Sequence, residues 1–274
     1  MNLLLLSMPD SFEHMPPVAI RMPNGALASL AGNVDQHHHV AVADLILVQA
    51  SVRTTVERMV RELAPDVVGL SVMTFQRATA MRIARLVRAL RPSARIVVGG
   101  YDPSLDVDAY TQSPDVDFIV RGEGEHTLCE LLRSLENDRD ASGIAGLSYR
   151  TPDGFVHNRD RAVVPLASSA LRLPKRGARV LRGYTLLGRN VDVVETSRGC
   201  TYDCSFCSII EMRGRNFHPY TIDRVLADIA DARAHGAEAI FLVDDNITLD
   251  IERFEALCRA IVDAGFDEIG RAHV

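Results

Sequence analysis

Three cysteines lie within eight residues of one another in this chain of 274 residues. Cys200, Cys204 and Cys207 have the spacing C-x3-C-x2-C, and an odd total of five cysteines argues against a disulfide framework. Three thiolates on one loop can bind three irons of a cubane [4Fe–4S] cluster and leave the fourth iron without a protein ligand. A zinc site needs a fourth donor, which His218 could supply. The cluster is the preferred interpretation, because no second C-x2-C pair follows in the sequence.

Two other sets of potential ligands are expected to have no chemical role. Cys129 and Cys258 lie in amphipathic segments and are predicted to be small buried hydrophobic side chains. The run His37–His39 could bind a metal, but a solvated loop before the second strand is the preferred interpretation.

Short apolar segments alternate with amphipathic ones in the first half of the chain. Three amphipathic segments place their apolar residues on one helical face, around Val56, Ile83 and Leu128. Together with the apolar segments they predict an α/β domain over residues 1–140, with a five-stranded, doubly wound, flavodoxin-like parallel sheet. The predicted strands, rich in Val, Ile and Leu and expected to be buried on both faces, are Asn2–Ser7, Val40–Ala43, Asp66–Ser71, Arg95–Gly99 and Asp117–Val120.

A hairpin and a linker are predicted over residues 141–188. The hairpin strands Gly146–Tyr149 and Phe155–His157 flank a turn with Pro152 and Gly154, and residues after 158 show no clear periodicity. A second β/α arrangement then begins at residue 189 and continues to 274. Its expected elements alternate between strand and helix: Val191–Glu195, Ile222–Ala234, Ala239–Val243 and Ile251–Ala264.

The segment Arg198–Cys207 resembles the signature loop of the radical S-adenosylmethionine (SAM) enzymes, including the aromatic Phe206 before the last cysteine. The resemblance implies an incomplete radical SAM partial TIM barrel in which the three cysteines hold a [4Fe–4S] cluster. It also implies a 5′-deoxyadenosyl radical made from SAM, with an external electron donor such as flavodoxin or ferredoxin. The expected SAM contacts are Phe206, Asp244, Asp245 and Asn246. The last three of these follow the second predicted barrel strand and could instead cap the next helix, a role that Asp250 could equally serve.

The carboxyl ends of the third, fourth and fifth predicted strands are the expected ligand site of the first domain. Glycines there let a bulky ligand approach the backbone, but Gly122–Glu125 lacks the third glycine of a dinucleotide fingerprint and its glutamates would repel a pyrophosphate. This succession of strand ends resembles the cobalamin-binding domain that is fused to one large radical SAM subclass. The expected cobalamin contacts are Ser71, Val72, Thr74, Gly99, Gly100, Tyr101, Gly122, Glu123 and Gly124.

The function implied by both resemblances is cobalamin-dependent methyl transfer to a small-molecule or peptide substrate after radical hydrogen abstraction. The histidine motif D-x-H-x-x-G that supplies a lower cobalt ligand is absent, so cobalamin is expected to bind without a protein histidine. One alternative is a radical SAM cyclase or rearranging enzyme that transfers no methyl group. Another, outside enzymes, is a zinc or iron–sulfur regulatory module.

Composition excludes several other classes of protein. Thirty Lys and Arg residues against 36 Asp and Glu residues give a net charge of −6, which disfavours nucleic-acid binding. No apolar run approaches the roughly 20 residues of a membrane helix, and no basic signal-peptide start is present. We therefore expect a cytoplasmic protein with no transmembrane segment.

The second predicted unit is short for the barrel that the resemblance implies. Residues 191–274 have room for two β/α units and the start of a third, whereas a complete eight-stranded barrel takes roughly 250 residues. Ile269–Val274 also matches the translation of a common sequencing-library adapter. We therefore expect a C-terminally truncated chain that is inactive by itself, with the edge of strand Ala239–Val243 unpaired.

Overall fold

The first half of the chain forms a sheet with helices on both faces in a computed structural model, which describes residues 1–10, 20–168 and 170–266. Its five parallel strands confirm the five predicted segments. The elements are β1 (Asn2–Ser7), β2 (Ile20–Arg21), α1 (Gly25–Asn33), β3 (His39–Asp44), α2 (Val52–Leu63), β4 (Val67–Ser71), α3 (Arg77–Leu90), β5 (Arg95–Gly99), α4 (Tyr101–Leu105), α5 (Asp108–Thr111), β6 (Phe118–Val120) and α6 (Gly124–Glu136).

The strand order β3-β1-β4-β5-β6 is that of the predicted flavodoxin-like, doubly wound sheet. Alternate residues of β1 lie in two different cores, Leu4 and Leu6 in one, Leu3 and Leu5 in the other. Helices α2 and α3 pack on the first of these faces, and α1 and α6 pack on the second. Each fully buried large apolar side chain stabilises this arrangement by about 1.5–3 kcal/mol.

The predicted hairpin continues this sheet and does not stand apart from it. Strand β7 (Leu147–Thr151) pairs antiparallel with β6, and β8 (Gly154–His157) pairs antiparallel with β7, so the sheet has seven strands. The hairpin itself follows from its turn residues. Its place beside β6 could not be predicted, because pairing between separate segments leaves no local pattern in the sequence.

The second unit contains the predicted strands and helices. Its sheet has the order β13 (Ala239–Leu242), β10 (Arg189–Val194), β9 (Thr185–Leu186) and β2. Strands β10 and β13 are parallel, and β13 lies at the edge, as expected, within the described residues. Strand β2 from the first half of the chain completes this sheet by pairing with β9. The elements are β9 (Thr185–Leu186), β10 (Arg189–Val194), β11 (Ser197–Arg198), α7 (Ile209–Arg213), β12 (His218–Pro219), α8 (Ile222–Ala234), β13 (Ala239–Leu242) and α9 (Ile251–Asp263).

The predicted linker holds the two units together. Arg176 is buried, and its guanidinium donates to the carboxylates of Asp192, Asp228 and Asp231 in the second unit. Its neighbour Lys175 donates its backbone N–H to the carbonyl of Ala28 in α1, at 2.9 Å. A buried cation with three carboxylate partners fixes the linker in one place, so the two units have a defined relative position.

Two of the expectations concern the chain as a whole. Among the residues that the structure describes, no helix has both the length and the apolar character that a membrane span requires. The segment Ile269–Val274, which we expected to be of artificial origin, lies outside the described residues.

Candidate functional site

A cavity of about 340 Å³ lies where the carboxyl edge of the first sheet faces the second unit. Six of the nine expected cobalamin contacts line it, all of them at the ends of β4, β5 and β6: Ser71, Gly99, Gly100, Gly122, Glu123 and Gly124. The opposite wall comes from the second unit and includes Val193, Glu195, Arg198, Met212, Arg213 and Tyr220. The cavity is therefore bounded both by the predicted cobalamin edge and by the residues around the cysteine loop.

The other three expected cobalamin contacts do not line this cavity. Val72 is buried, and its backbone joins the strand ends by donating to the Gly99 carbonyl at 2.9 Å. Thr74 is exposed in the short helical turn that precedes α3. The Tyr101 hydroxyl instead forms a 2.6 Å hydrogen bond with the hydroxyl of Ser208, the residue after the last cysteine of the cluster motif.

Two glycines at the cavity edge adopt backbone conformations that other residues rarely tolerate. Gly100 has φ = +100° and Gly122 has φ = +71°. A Cβ added at Gly100 would lie 3.1 Å from the backbone nitrogen of Val72, while a Cβ at Gly122 would meet no atom within 4 Å. The first glycine is required by close packing, and the second leaves open space beside the cavity.

The cysteine loop starts from a short two-stranded ribbon. Strand β11 pairs antiparallel with β12, and Arg198 lies opposite His218. Gly199 follows with φ = +87°, and a Cβ at this position would lie 2.5 Å from the carbonyl oxygen of Asn216. The glycine before the first cysteine is thus required both by its φ and by the close approach of Asn216.

The three cysteines of the loop are free thiols at the surface. Cys200 is half-buried, and its Sγ accepts from the backbone N–H of Tyr202 at 3.4 Å. Cys204 and Cys207 are exposed and are linked by a 2.9 Å hydrogen bond from the Cys207 N–H to the Cys204 carbonyl. Phe206 between them is 91% exposed. The loop therefore presents its sulfurs and one aromatic ring to a partner or cofactor.

In the part of the chain that the structure describes, the three cysteines and His218 are not gathered as the ligands of one zinc ion would be. Two thiolates on one tetrahedral zinc lie about 3.8 Å apart, because each Zn–S bond is about 2.3 Å. In the described part of the chain, the one group of three or more His, Cys, Asp or Glu donors within 4.8 Å of one another does not include the three cysteines or His218. The cysteines are spread more widely than one zinc ion requires.

The other two cysteines, Cys129 and Cys258, differ in their exposure to solvent. Cys129 is buried in α6, as predicted. The expectation of a buried Cys258 is wrong, because this residue lies on the exposed face of α9. The amphipathic pattern of α9 located the helix correctly, but its apolar stripe has little to pack against, and Leu257 is its one fully buried side chain among the described residues.

Asp244, an expected SAM contact, is engaged by the protein itself. Its carboxylate accepts from the Thr196 backbone N–H at 2.7 Å and from the hydroxyls of Thr196 and Ser197, each at 2.5 Å. These contacts tie the end of β13 to the segment that leads into the cysteine loop. The alternative of a helix cap does not apply to Asp244, because Asp250 caps α9 by accepting from the Arg253 N–H.

Asp245 and Asn246 also contact the cysteine loop. The Asp245 carboxylate accepts from the Gly199 N–H at 2.7 Å and lies 3.2 Å from Nε of Arg213. The amide of Asn246 donates to Sγ of Cys200 at 3.6 Å. The structure thus places Asn246 on the first cysteine and Asp245 on the glycine before it, while Asp244 holds the segment that leads into the loop.

A buried ion-pair network joins the two units beside the cavity. Arg198, which is 5% exposed, donates from Nη2 to Glu125 at 2.7 Å and from Nε to Glu195 at 2.7 Å. Glu125 also accepts from the hydroxyl of Ser29 in α1 at 2.8 Å. Sequence analysis placed Glu125 beside a ligand site, but its direct partner is the arginine of the cysteine motif.

The electrostatics of this network follow from burial and charge pairing. Burial alone would raise the pKa of the Glu125 carboxyl, but Arg198 and the Ser29 hydroxyl stabilise its charged form and lower the pKa to about 2. At Glu195, burial outweighs the attraction of Arg198 and Arg213, and the pKa is raised. Arg198 therefore holds one carboxylate from each unit, Glu125 and Glu195, each at 2.7 Å.

A second ion pair strengthens the same junction. Arg213 at the end of α7 donates to Glu123 at 2.9 Å, next to its contact with Asp245. Glu123 was expected to touch cobalamin, and it does line the cavity, but it is also bound to the second unit. Charge complementarity between the two glutamates of Gly122–Glu125 and the arginines around the cysteines is the one sequence signal that could have revealed this junction.

Comparison with known proteins agrees with this architecture. Residues 15–132 match the model of the B12 binding domain family. An uncharacterized methyltransferase of Pyrococcus horikoshii is 28% identical over 272 residues, which cover 97% of this chain and 58% of that protein. The anaerobic magnesium-protoporphyrin IX monomethyl ester cyclase of Synechocystis is 27% identical over 258 residues, covering 91% of this chain and 49% of the cyclase.

A solved structure shows the same fold. The radical S-adenosylmethionine methyltransferase TsrM of Kitasatospora setae, determined with cobalamin and a [4Fe–4S] cluster bound, has a TM-score of 0.75 at 20% identity and matches 97% of this chain and 52% of its own. The predicted resemblance to cobalamin-binding radical SAM proteins is confirmed. The predicted fold class, a doubly wound domain followed by the first units of a radical SAM barrel, is confirmed with it. This chain spans about half the length of the curated relatives it matches.

Proposed function

We propose that this chain carries the cofactor-binding part of a cobalamin-dependent radical SAM methyltransferase acting on a small-molecule or peptide substrate in the cytoplasm. The observation that carries the proposal is the docking of the cysteine loop on the glycine-rich edge of the first sheet. Arg198 and Ser208, at the two ends of the loop, bind Glu125 and Tyr101 of the first domain. A cluster on this loop would lie beside the cavity that the expected cobalamin contacts line.

The residues present fit the three cofactors. Three free thiols and an exposed aromatic ring on one loop suit a [4Fe–4S] cluster with one open iron. Phe206 and Asn246 remain the proposed SAM contacts, with Asp244 and Asp245 fixing the loop beside them. When bound, the cluster and SAM supply the radical chemistry and cobalamin supplies the methyl group, with the electron coming from a donor such as flavodoxin or ferredoxin.

The chain's own residues set how cobalamin would be held. In the described part of the chain, histidines are absent from the cavity lining, which combines apolar side chains and glycines with the Arg198 network. His37 and His38 lie just before β3, and His39 is its first residue. All three are at the amino edge of the sheet, opposite the carboxyl edge where the cavity lies. We therefore propose that cobalamin binds without a histidine ligand to cobalt.

The cluster is tested by anaerobic reconstitution of this chain. We expect about four irons per chain, and expect Cys200→Ala, Cys204→Ala or Cys207→Ala to abolish them. Cys129→Ala is the matched control, because this thiol is buried in α6 away from the loop. Absence of iron, together with a zinc ion that Cys200→Ala, Cys204→Ala or Cys207→Ala abolishes, would instead support a zinc-binding regulatory module.

Cobalamin binding is tested separately from the cluster. Cobalamin bound to the chain should show no coupling between cobalt and a histidine nitrogen in its electron paramagnetic resonance spectrum. The variants His37→Ala, His38→Ala and His39→Ala should bind it as the unchanged chain does. Loss of binding in one of these variants, with the fold intact, would contradict the proposed place of the cofactor.

A second candidate function keeps the radical chemistry and transfers no methyl group. It is favoured by the likeness to an anaerobic cyclase, which matches nearly as much of this chain as the methyltransferase relative does. The products of SAM turnover, measured on this chain or on a longer protein that contains it, distinguish the two candidates. A methylated product with S-adenosylhomocysteine and 5′-deoxyadenosine supports methyl transfer, and 5′-deoxyadenosine alone supports a cyclase or rearranging enzyme.

A further inference from the structure

A cluster of metal-binding side chains lies at the amino edge of the first sheet, far from the cysteine loop. His37 and His38 come from the turn before β3, and Glu136 is the last residue of α6. One donor atom from each of the three lies within 4.8 Å of the others. His37 and Glu136 are 99 residues apart in the chain, and the fold of the first domain brings them together.

The geometry within the cluster is close to that of ligands on one ion. Nε2 of His37 lies 3.0 Å from each oxygen of the Glu136 carboxylate. Two nitrogen or oxygen ligands of a tetrahedral zinc ion are separated by about 3.3 Å, because each bond is about 2.0–2.1 Å. The rings of His37 and His38 are adjacent, with centroids 4.1 Å apart. The three donors, which lie within 4.8 Å of one another, would have to come closer together to share one ion.

The burial of His38 is an independent observation that points to a ligand. The expectation that the whole run His37–His39 lies in a solvated loop is wrong at this residue, because His38 is 2% exposed. Its Nδ1 lies 3.2 Å from the amino nitrogen of Met1, and its Nε2 is buried without a hydrogen-bond partner. A buried ring nitrogen without a partner is costly and calls for an explanation.

We infer that His37, His38 and Glu136 form a binding site for a divalent transition-metal ion of the zinc class. Imidazole and carboxylate donors suit zinc and its neighbours better than calcium or magnesium, which prefer oxygen ligands alone. The ion would join the start of β3 to the end of α6 and so stabilise the first domain. Its place at the amino edge separates it from the proposed cofactors, and its role is structural.

The nearby carboxylate of Asp35 is not part of this site. Both of its oxygens accept from the guanidinium of Arg133, at 2.6 Å and 2.7 Å. Arg133 lies one turn before Glu136 on α6 and limits the negative charge beside the cluster. The site therefore has three protein donors, and a water molecule would complete a tetrahedral zinc.

The experiment uses the untagged chain with Cys200, Cys204 and Cys207 replaced by alanine, so that the thiols of the loop cannot bind zinc. Zinc titrated by calorimetry should saturate at one ion per chain and raise the thermal unfolding midpoint. His37→Ala and Glu136→Gln, both exposed positions, should each weaken zinc affinity at least about tenfold and abolish the rise. Cobalt in place of zinc should show tetrahedral absorption bands without a thiolate charge-transfer band.

His39→Ala is the matched control, because His39 is exposed in the same run and outside the cluster. It should bind zinc as the background protein does. The inference is overturned if the background protein binds no stoichiometric zinc, or if His39→Ala weakens binding as much as His37→Ala. The latter outcome would show adventitious binding to a histidine-rich surface. Neither result bears on the iron content of the cysteine loop.

Discussion

The first sheet and the cysteine loop fix their conformations by different means. The strands of the sheet are packed on both faces by apolar side chains. Residues 201–207 of the loop are all exposed, and polar contacts at Arg198, Gly199 and Ser208 hold the two ends. A scaffold of the first kind distributes its stability over many side chains, whereas the loop depends on a few individual groups.

The largest effect is expected where the loop meets the sheet. Arg198→Gln would leave the buried carboxylate of Glu125 without its charged partner and should lower the free energy of unfolding by about 3–5 kcal/mol. Arg85→Gln is the control, because its side chain is 81% exposed, and it should cost about 0.5 kcal/mol or less. Urea denaturation measures both. Equal losses in the two variants would mean that the junction contributes no more than a surface charge.

A smaller effect is expected inside the loop. Gly199→Ala should destabilise the chain by about 1–3 kcal/mol, because of the positive φ and the close carbonyl of Asn216, and should reduce iron content after reconstitution. Gly143→Ala should change neither quantity, since an added Cβ there meets no atom within 4 Å. Full iron content in the Gly199 variant would show that the loop can form its cluster from another backbone conformation.

The pH dependence of stability should separate the junction from the rest of the scaffold. Because the folded pKa of Glu125, about 2, lies below its usual value of 4.5, its stabilising contribution is complete above pH 4.5 and is lost as the pH falls toward 2. Each pH unit in this window is worth at most about 1.4 kcal/mol.

The measurement compares the unchanged chain with Glu125→Gln by urea denaturation between about pH 5 and about pH 3. The unchanged chain should lose more stability on acidification than the variant. Glu195 is present in both proteins, and burial raises its pKa in the unchanged chain, with a further contribution from Glu125 that the variant removes. Parallel losses would place the acid sensitivity in other carboxylates.

The smallest effect is expected at the exposed cysteine of α9. Cys258→Ala should change the free energy of unfolding by about 0.5 kcal/mol or less and leave iron content unchanged, since the thiol is exposed and outside the loop. Iron analysis beside Cys204→Ala, equally exposed, gives the comparison. Loss of iron in the Cys258 variant would make α9 part of the cluster site.

The sequence predicted the elements well because their causes are local. Apolar runs such as Asp66–Ser71 and the apolar stripe around Val56 indicate directly which residues are buried. The spacing of the three cysteines indicates which cofactor they could bind. Pairings between distant residues were not predicted. Arg198 and Glu125 are 73 residues apart, and neither local composition nor periodicity indicates that their charges meet in a buried site.

The same limit applies to the site residues. Gly99 and Gly122 were located by their strands and do line the cavity, because strand ends in a parallel sheet share one edge. Tyr101 also follows a strand, yet its hydroxyl binds Ser208 of the cysteine loop. The direction in which the Tyr101 side chain points depends on the position of the second unit. The sequence of the first domain holds no information about that position.

The pairing of β2 with β9 has a consequence for the order of events during protein synthesis. Ile20–Arg21 emerges from the ribosome with the first domain but must wait for Thr185–Leu186 before its backbone groups are paired in a sheet. At about 5–20 residues per second, the roughly 165 residues between them take about 8–33 s to translate. The seven-stranded sheet is complete at His157 and can form within that interval. The nascent chain therefore has time to form the seven-stranded sheet before β2 can meet the strand that pairs with it.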